Sequence, residues 1–467
     1  MTRIGTSEHP LRVAVVGSGP SGMYAVAALL DDEDLEVSVD VFDRLPAPYG
    51  LVRYGVAPDH QKIKLVSRVF DKAITDERVR FLGNVEVGTD LSREELKRHY
   101  HQIVYAVGAQ SDRSLGIPGE DLEGSISSTE FVAWYNSHPD LADAHYPLHH
   151  ERVAVVGIGN VAMDVSRMLA KPVEELAKTD ISDAALEEME RSRVREIDVL
   201  ARRGPVQAKC SPAELKELTE IPGAQVVVDP GDLELDPASE AALEDDRSAR
   251  KNLEIFRELS EASDEPEKRK IRFRFLVSPV EIVGEEGEVT GVRVEHNVLE
   301  PTPERLRARG TGRTELLPVT MVVRAIGYRS ERLLDLPYDE RRAIVPNLEG
   351  RILHPDRPEE VSREYVVGWV KRGPTGLIGT NKLDARETVE KMVEDVPGLE
   401  DQGDGDRDPA AVDRILADRG VTVVSYDDWK RLDEVEVAQG EELGRPRVKF
   451  PRVEEMLETL EELRAGS

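Results

Sequence analysis

The stretch "RVAVVGSGPSG", Arg12–Gly22, returns almost unchanged as "RVAVVGIGNVA", Arg152–Ala162. In each copy an apolar run long enough for a central parallel strand reaches a glycine turn and then a helical pattern, "MYAVAALLDD" in the first and "MDVSRMLAKPVEEL" in the second. The copies lie too far apart for a solenoid repeat and suit two dinucleotide-binding units. Gly17, Gly19 and Gly22 spell GxGxxG; Gly157, Gly159 and Ala162 spell GxGxxA. The first glycine permits the tight turn, the second lets the backbone approach a pyrophosphate, and the third position packs helix on strand. The helix that follows offers free N–H groups and a positive dipole end to phosphates.

Working outward, "EVSVDVFD" and "HQIVYAVGA" follow the first copy and "REIDVLARRG" the second. Short strands alternating with helical segments are what a doubly wound α/β sheet requires. Later, "RFRFLVSPVEIVG", "GVRVEHNVL" and "LLPVTMVVRAIGYR" are spaced as hairpins or a small antiparallel sheet, and the charged segment from Pro230 to Lys270 reads as a helical, peripheral insertion. "HQIVYAVGA" and "VTMVVRAIGYR" both end at glycine, marking where the chain leaves one domain and where it returns. The expected architecture is α/β, with two Rossmann-like three-layer dinucleotide-binding domains. The second, 113–332, is inserted into a discontinuous first domain made of 1–112 and 333–467. That last part contains the Gly/Asp-rich loop "GLEDQGDGDRDP".

Each unit carries a specificity signal. Asp43 ends the strand "VDVFD", somewhat farther from Gly17 than the usual separation of about 20 residues, where a carboxylate accepts hydrogen bonds from a ribose diol. In the second unit Arg202 and Arg203, in "VLARRGP", stand where a ribose 2'-phosphate needs cationic donors, which favours NADP. An exposed arginine pair on a loop fits the same residues. The long separation from the glycines implies an extra helical excursion over roughly Pro172–Arg195.

Composition narrows the chemistry. The single cysteine, Cys210, excludes an internal disulfide, a Cys-x-x-Cys redox pair and an iron–sulfur cluster of its own, so any electron carrier is organic. No metal site is expected. With 92 acidic against 62 basic residues and a net charge of −30, the chain lacks the basic footprint of a nucleic-acid binder. No stretch approaches the roughly 18 to 20 apolar residues of a membrane span, and "MTRIGTSEHPLR" has no apolar signal core, so a cytoplasmic protein without membrane insertion is expected.

Beyond these features, the sequence resembles ferredoxin-NADP reductases of the adrenodoxin reductase type, bacterial members included, over nearly its whole length. The resemblance is carried by "VGSGPSGMYA", "LPAPYGLVRYGVAPDHQKIK", "FLGNVEVG", "YAVGAQSDR", "GIGNVAMDV", "ARRGPVQA", "YVVGWVKRGPTGLIGTNK" and "GRPRVK". It implies FAD in the first domain and NADP(H) in the inserted one. NADPH would pass a hydride to FAD, and electrons would leave singly to a ferredoxin-type iron–sulfur partner. FAD contacts implied beyond the glycines are Ser21, Asp43, Leu51, Val87, Trp369, Gly376, Leu377 and Ile378. Implied NADP contacts are Ile158, Gly159, Asn160, Val161, Arg202, Arg203 and Glu214, with Gly376 near the nicotinamide. The ribose acid is Asp43 where relatives often carry Glu. A flavin subunit of a larger synthase, or a redox-sensing or scaffold flavoprotein without turnover, remains the alternative.

Several of these residues carry a second reading. Trp369 fits an apolar core as well as a cofactor wall. In "SPAE", Ser211–Glu214, Glu214 can close a capping box behind Pro212 or face the nicotinamide amide. His60, in "GLVRYGVAPDHQKIK", can exchange protons near neutral pH or bond neighbouring backbone. His60 and Glu214 are the candidate catalytic pair, positioning the nicotinamide and managing protons. Arg53, Lys62 and Lys64 form a positive exception in an acidic chain, a candidate approach for an acidic ferredoxin. The helix starting near Lys382 would place its dipole against reduced flavin.

Overall fold

The computed structural model describes residues 4–301, 306–353, 363–399 and 407–466. Most of the "GLEDQGDGDRDP" loop lies outside them. Each "RVAVV" becomes an inner strand of a sheet. Leu11–Val16 runs parallel between Val37–Asp43 and Gln102–Tyr105. Val79–Gly83 extends the sheet on one side, and Glu364–Val366, Arg351–Ile352 and Asn347–Leu348 extend it on the other. This sheet therefore draws strands from both ends of the chain. Arg152–Val156 lies between Met321–Arg324 and Glu196–Leu200 in an all-parallel sheet completed by Ser125–Ser127, Arg269–Arg274 and Ala224–Val228.

Alternate residues of each copy feed opposite faces, as the period of two requires. Val13 and Val15 pack with Met23, Val26 and Leu29 of the helix Pro20–Leu30, whereas Ala14 and Val16 pack with Leu82, Leu96 and Tyr105. In the second sheet Val153 and Val155 meet Met163 and Met168. Ala154 and Val156 meet Val292, Val294 and Leu317 of an antiparallel sheet, Val277–Glu285, Glu288–Pro301 and Leu306–Leu317. A small sheet thus covers a face that helices usually cover.

Two strand expectations are corrected here. "RFRF" belongs to Arg269–Arg274, an interior parallel strand, and not to a hairpin. "LLPVTMVVR" is two strands: Leu316 and Leu317 end an antiparallel one, and Met321–Arg324 joins the parallel sheet. Strand propensity reports a half-buried extended segment and not the partner it finds. The expected helical excursion is present as Val173–Leu176 and Asp183–Glu190.

The two turns after the strands are tight for the same reason. Gly17 (φ 104°) and Gly157 (φ 133°) adopt positive φ, and a Cβ would lie 2.7 Å from the Ala106 carbonyl oxygen and 2.2 Å from that of Ala325. The chain passes from the first sheet to the second and back through one place, where Ser111–Asp112 pairs antiparallel with Tyr328–Arg329.

Identical letters meet different surroundings in the two copies. Arg12 is 3% exposed and donates to Asp40 Oδ2 at 2.8 Å, while Arg152 is exposed and pairs with Glu196 at 2.9 Å. Asp40 also accepts from Arg80 Nε and Nη2, each at 2.8 Å, and from the Tyr100 hydroxyl at 2.6 Å. Burial would raise its pKa, but the Arg80 and Arg12 guanidiniums hold it below the usual carboxylate range. Asp198 occupies the matching register, opposite Ala154 as Asp40 is opposite Ala14. Burial leaves its pKa raised despite Arg274. Asp40→Ala strands the Arg12 cation and should cost about 3–5 kcal/mol. Urea unfolding should show that loss, and a much smaller one for Asp198→Ala.

Candidate active site

The first nucleotide cradle assembles around Gly19, the N-cap of the helix Pro20–Leu30, which has no side-chain cap. Tyr49 and Gly50, both at positive φ, bring the opening of "GLVRYG" across it: Tyr49 N–H donates to the Ser18 carbonyl at 3.2 Å. A Cβ on Gly50 would lie 3.1 Å from Gly19 Cα. From the far end of the chain, Gly368 packs on Ser21, whose hydroxyl donates to Asn381 Oδ1 at 2.9 Å. The helix Thr380–Asp395, starting two residues before the expected Lys382, also begins without a side-chain cap, at Gly379. Gly376 (φ 82°), Leu377 and Ile378 form the turn before it.

These features fit FAD on the chain's own terms. Two uncapped helix starts leave backbone donors for phosphate and for the flavin's pyrimidine edge. Trp369 Nε1 is buried with no acceptor among the described residues, and the ring lies 5.0 Å from Tyr328 at the chain crossover. Leu51 and Leu377 are 37% and 64% exposed. Asp43 sits at the end of its strand, accepting from Ser18 N–H at 3.0 Å, from the Ser18 hydroxyl and from Leu45 N–H at 3.0 Å. Burial raises its pKa, with the Ser18 hydrogen bond opposing. Val87 is half-buried against the sheet face that carries Val16.

In the second cradle Gly159 caps the helix Asn160–Ala170 without a side chain. The Ile158 carbonyl accepts from Lys209 and Cys210 N–H at 2.9 and 3.0 Å, drawing the segment after Arg202 and Arg203 over the glycine turn. Val161 is half-buried on the same helix, Arg202 is exposed and Arg203 half-buried. Cys210 is buried, its thiol pushed up to about 12 by burial, so it serves packing and not redox chemistry.

His60, ten residues after Gly50, meets Glu214, whose helix Pro212–Thr219 begins beside the second cradle. The expected capping box is only half formed. Ser211 Oγ accepts from Glu214 N–H at 3.2 Å, but Ser211 N–H donates to Asn160 Oδ1 at 2.8 Å. Asn160 thereby frees the Glu214 carboxylate to face His60 Nε2, 3.9 Å away. His60 Nε2 bonds Glu217 Oε2 at 2.6 Å, and Arg167 Nη2 approaches Nδ1 at 3.5 Å. A guanidinium only donates, so this arrangement suits a ring with its proton on Nε2. Arg167, 2% exposed, also contacts Asp59 (2.8 Å), Asp164 (2.6 Å), Glu214 (3.2 Å) and Glu217 (3.5 Å). His60, Glu214 and Glu217 place three ligand atoms within 4.8 Å of one another, yet Arg167 already fills the cationic position.

Asp59, Asp164, Arg167 and Glu217 are the site residues sequence reasoning missed. Their signal was spacing: Asp164 and Arg167 share a helix face three apart, as do Glu214 and Glu217. Arg53 and Lys64, expected as a free positive patch, are instead held in ion pairs, Arg53 buried on Glu436 and Lys64 half-buried against Asp180, leaving Lys62 exposed.

Burial and the neighbouring Asp164 push the Glu214 carboxyl up to about 7, against the pull of His60 and Arg167. Its folded value lies above the unfolded one, so ionising it opposes folding. That penalty is absent near pH 4, grows as pH rises and is complete above about 7. Glu214→Gln should therefore raise the melting temperature relative to the parent at pH 8 and change it little at pH 5. Thermal melts at the two pH values check this.

Residues 11–228 match the pyridine nucleotide-disulphide oxidoreductase family. The chain is 43% identical to NADPH-ferredoxin reductase FprA of Mycobacterium leprae, covering 96% of this chain and 98% of that protein. It is 38% identical to the mitochondrial NADPH:adrenodoxin oxidoreductase of Arabidopsis thaliana, over 97% and 95% of the two chains. The structure of Mycobacterium tuberculosis FprA in complex with NADPH superposes with a TM-score of 0.90 at 42% identity, covering 96% of this chain and 99% of that one. The chain belongs to the ferredoxin-NADP reductase family of the adrenodoxin reductase type.

Proposed function

We propose that the protein is a cytoplasmic NADPH:ferredoxin oxidoreductase. The observation that carries this reading is a pair of uncapped, glycine-led helix starts, one behind each of two separate parallel sheets, with the His60–Glu214 pair linking the segment after the first to the segment beside the second. In our reading 1–112 with 333–467 binds FAD and 113–332 binds NADP(H), the division falling at the paired crossover strands. Gly17, Gly19, Ser21, Gly22, Asp43, Leu51, Val87, Trp369, Gly376, Leu377 and Ile378 hold FAD. Bound FAD supplies a two-electron acceptor that releases electrons singly.

Ile158, Gly159, Asn160 and Val161 present backbone to the NADP pyrophosphate, and Arg202 and Arg203 take the 2'-phosphate. Glu214 and His60 face the nicotinamide end. Hydride transfer itself needs no general acid. Their work is to hold the carboxamide and to keep a proton on Glu214 or release it near neutral pH. Glu217 orients the His60 ring by accepting from it.

The electron partner in this reading is a small acidic iron–sulfur protein. With Arg53 and Lys64 held in ion pairs, Lys62, Arg68 and Lys72 are the exposed cations of this segment, flanking exposed Ile63, Leu65 and Val69. That mixture of apolar centre and cationic rim suits an acidic partner.

Anaerobic NADPH should bleach the flavin absorbance of the purified holoprotein, and cytochrome c should be reduced only when a ferredoxin is added. Indifference to NADPH would sink the reading. Replacing Arg202 and Arg203 by Ala should raise the half-saturating NADPH concentration at least about tenfold, as expected for lost charge-assisted bonds, and leave that for NADH unchanged. Ferredoxin reduction should weaken with added salt, and more gently in Lys62→Glu/Arg68→Glu, which starts from a lower rate.

A further inference from the structure

The one-turn helix that follows His60, Gln61–Lys64, buries none of its residues. Ile63 is 43% exposed and Leu65 beyond it 49%, so no apolar anchor fixes this turn. Yet His60 must be held within a fraction of an ångström of Glu217. Polar contacts across the domain boundary do the holding, and they run in opposite directions on either side of His60.

On the N-terminal side Asp59, from the first domain, accepts from Arg167 and from Lys171 Nζ at 2.8 Å, both in the second. On the C-terminal side the polarity reverses. Asp180 of the second domain accepts from Gln61 Nε2 at 2.8 Å and from Lys64 Nζ at 2.8 Å on each oxygen. A third donor comes from the end of the chain: Lys449 Nζ lies 3.1 Å from Asp180 and donates to the Asn136 carbonyl at 3.0 Å. Both the Asp180 and the Lys449 side chains are almost wholly enclosed. Asp180 sits in the helical excursion that nucleotide binding does not need, and Lys449 ends the "GRPRVK" stretch that no nucleotide role absorbs.

Burial opposes ionisation of Asp180, but Lys449 and Lys64 together hold it well below the usual carboxylate range. One carboxylate serves two ammoniums, so burial pushes the second, Lys449, well below the ordinary lysine value. Neutralising one carboxylate needs a single cation. Three segments converge here, an arrangement that fixes position beyond what charge balance requires.

We propose that Asp180 and Lys449 are positioning residues for hydride transfer: by gripping the Gln61–Lys64 turn they hold His60 against Glu214 and Glu217, where the nicotinamide enters. The inference rests on the reading of this site as the place where NADPH reduces the flavin. Neither residue touches the phosphate cradles, so nucleotide affinity is set elsewhere.

The test is anaerobic stopped-flow reduction of flavin-loaded Asp180→Asn and Lys449→Met by NADPH, with hydrogen–deuterium exchange of a peptide spanning 59–66 in the same preparations. The flavin spectrum and the half-saturating NADPH concentration should stay within about twofold of the parent. The limiting rate should fall at least about tenfold, since a displacement of roughly 1 Å can cost about a hundredfold. Exchange across 59–66 should quicken in both variants. Limiting rates within twofold of the parent, or a rate loss with unchanged exchange, would overturn the proposal. Should Asp180→Asn fail to fold, Lys449→Met carries the tenfold expectation by itself, and Lys64→Met, which likewise leaves Asp180 one ammonium, serves as its second variant with the same outcomes. If the parent protein is itself not bleached by NADPH, the functional reading fails; if it is bleached and the variants match it, only the clasp fails.

Discussion

A single buried guanidinium, that of Arg167, is the contact on which the site depends. It rises from the helix Asn160–Ala170 behind the second glycine turn and meets Asp59 from the segment after the first turn, Asp164 of its own helix, and Glu214 and Glu217 of the helix Pro212–Thr219. Its charge and that of Lys171 are outnumbered by the four carboxylates. In a poorly solvated space that imbalance favours holding a proton, and burial raises the pKa of both Glu214 and its neighbour Asp164. One cation therefore joins the two halves of the site and orders its acidic residues. Removing it would leave several buried charges uncompensated, a far larger disturbance than losing any one surface pair.

The parts of the fold legible in the sequence were those set by local rules. "VAVV" must be strand because its residues are apolar on both faces, and the glycines must follow because a Cβ at Gly17 or Gly157 has nowhere to go. The Gly22 and Ala162 pair was legible too. A Cβ on Gly22 would lie 2.0 Å from the Gly17 carbonyl oxygen, whereas the second turn has room for the Ala162 methyl. What stayed hidden were choices of partner. Arg269–Arg274 looks like a hairpin strand until Ala224–Val228 and Glu196–Leu200 claim its two edges. Leu306–Leu317 is mostly exposed and charged, with no apolar pattern to announce a strand.

Charge was the least legible quantity. Arg53 and Lys64 read as surface cations by residue type, and only the fold brings Glu436 and Asp180 from distant segments to enclose them. Arg12 and Arg152 make the same point within an exact repeat. Equivalent letters, one buried on Asp40 and one in solvent, show that side-chain environment follows tertiary neighbours where backbone conformation follows sequence. The Ser211 cap is intermediate: its start was readable, but Asn160 supplied the bond expected of Glu214.

The crossover at Ser111–Asp112 and Tyr328–Arg329 has a genetic meaning as well as a structural one. Because the chain leaves and re-enters the first sheet side by side, the intervening segment begins and ends at adjacent points in space. Such a segment can be acquired, lost or exchanged as one block of coding sequence without breaking a strand of the host or threading a loop. The two copies of "RVAVVG" thus stand on either side of that junction, one in the host sheet and one in the block it encloses.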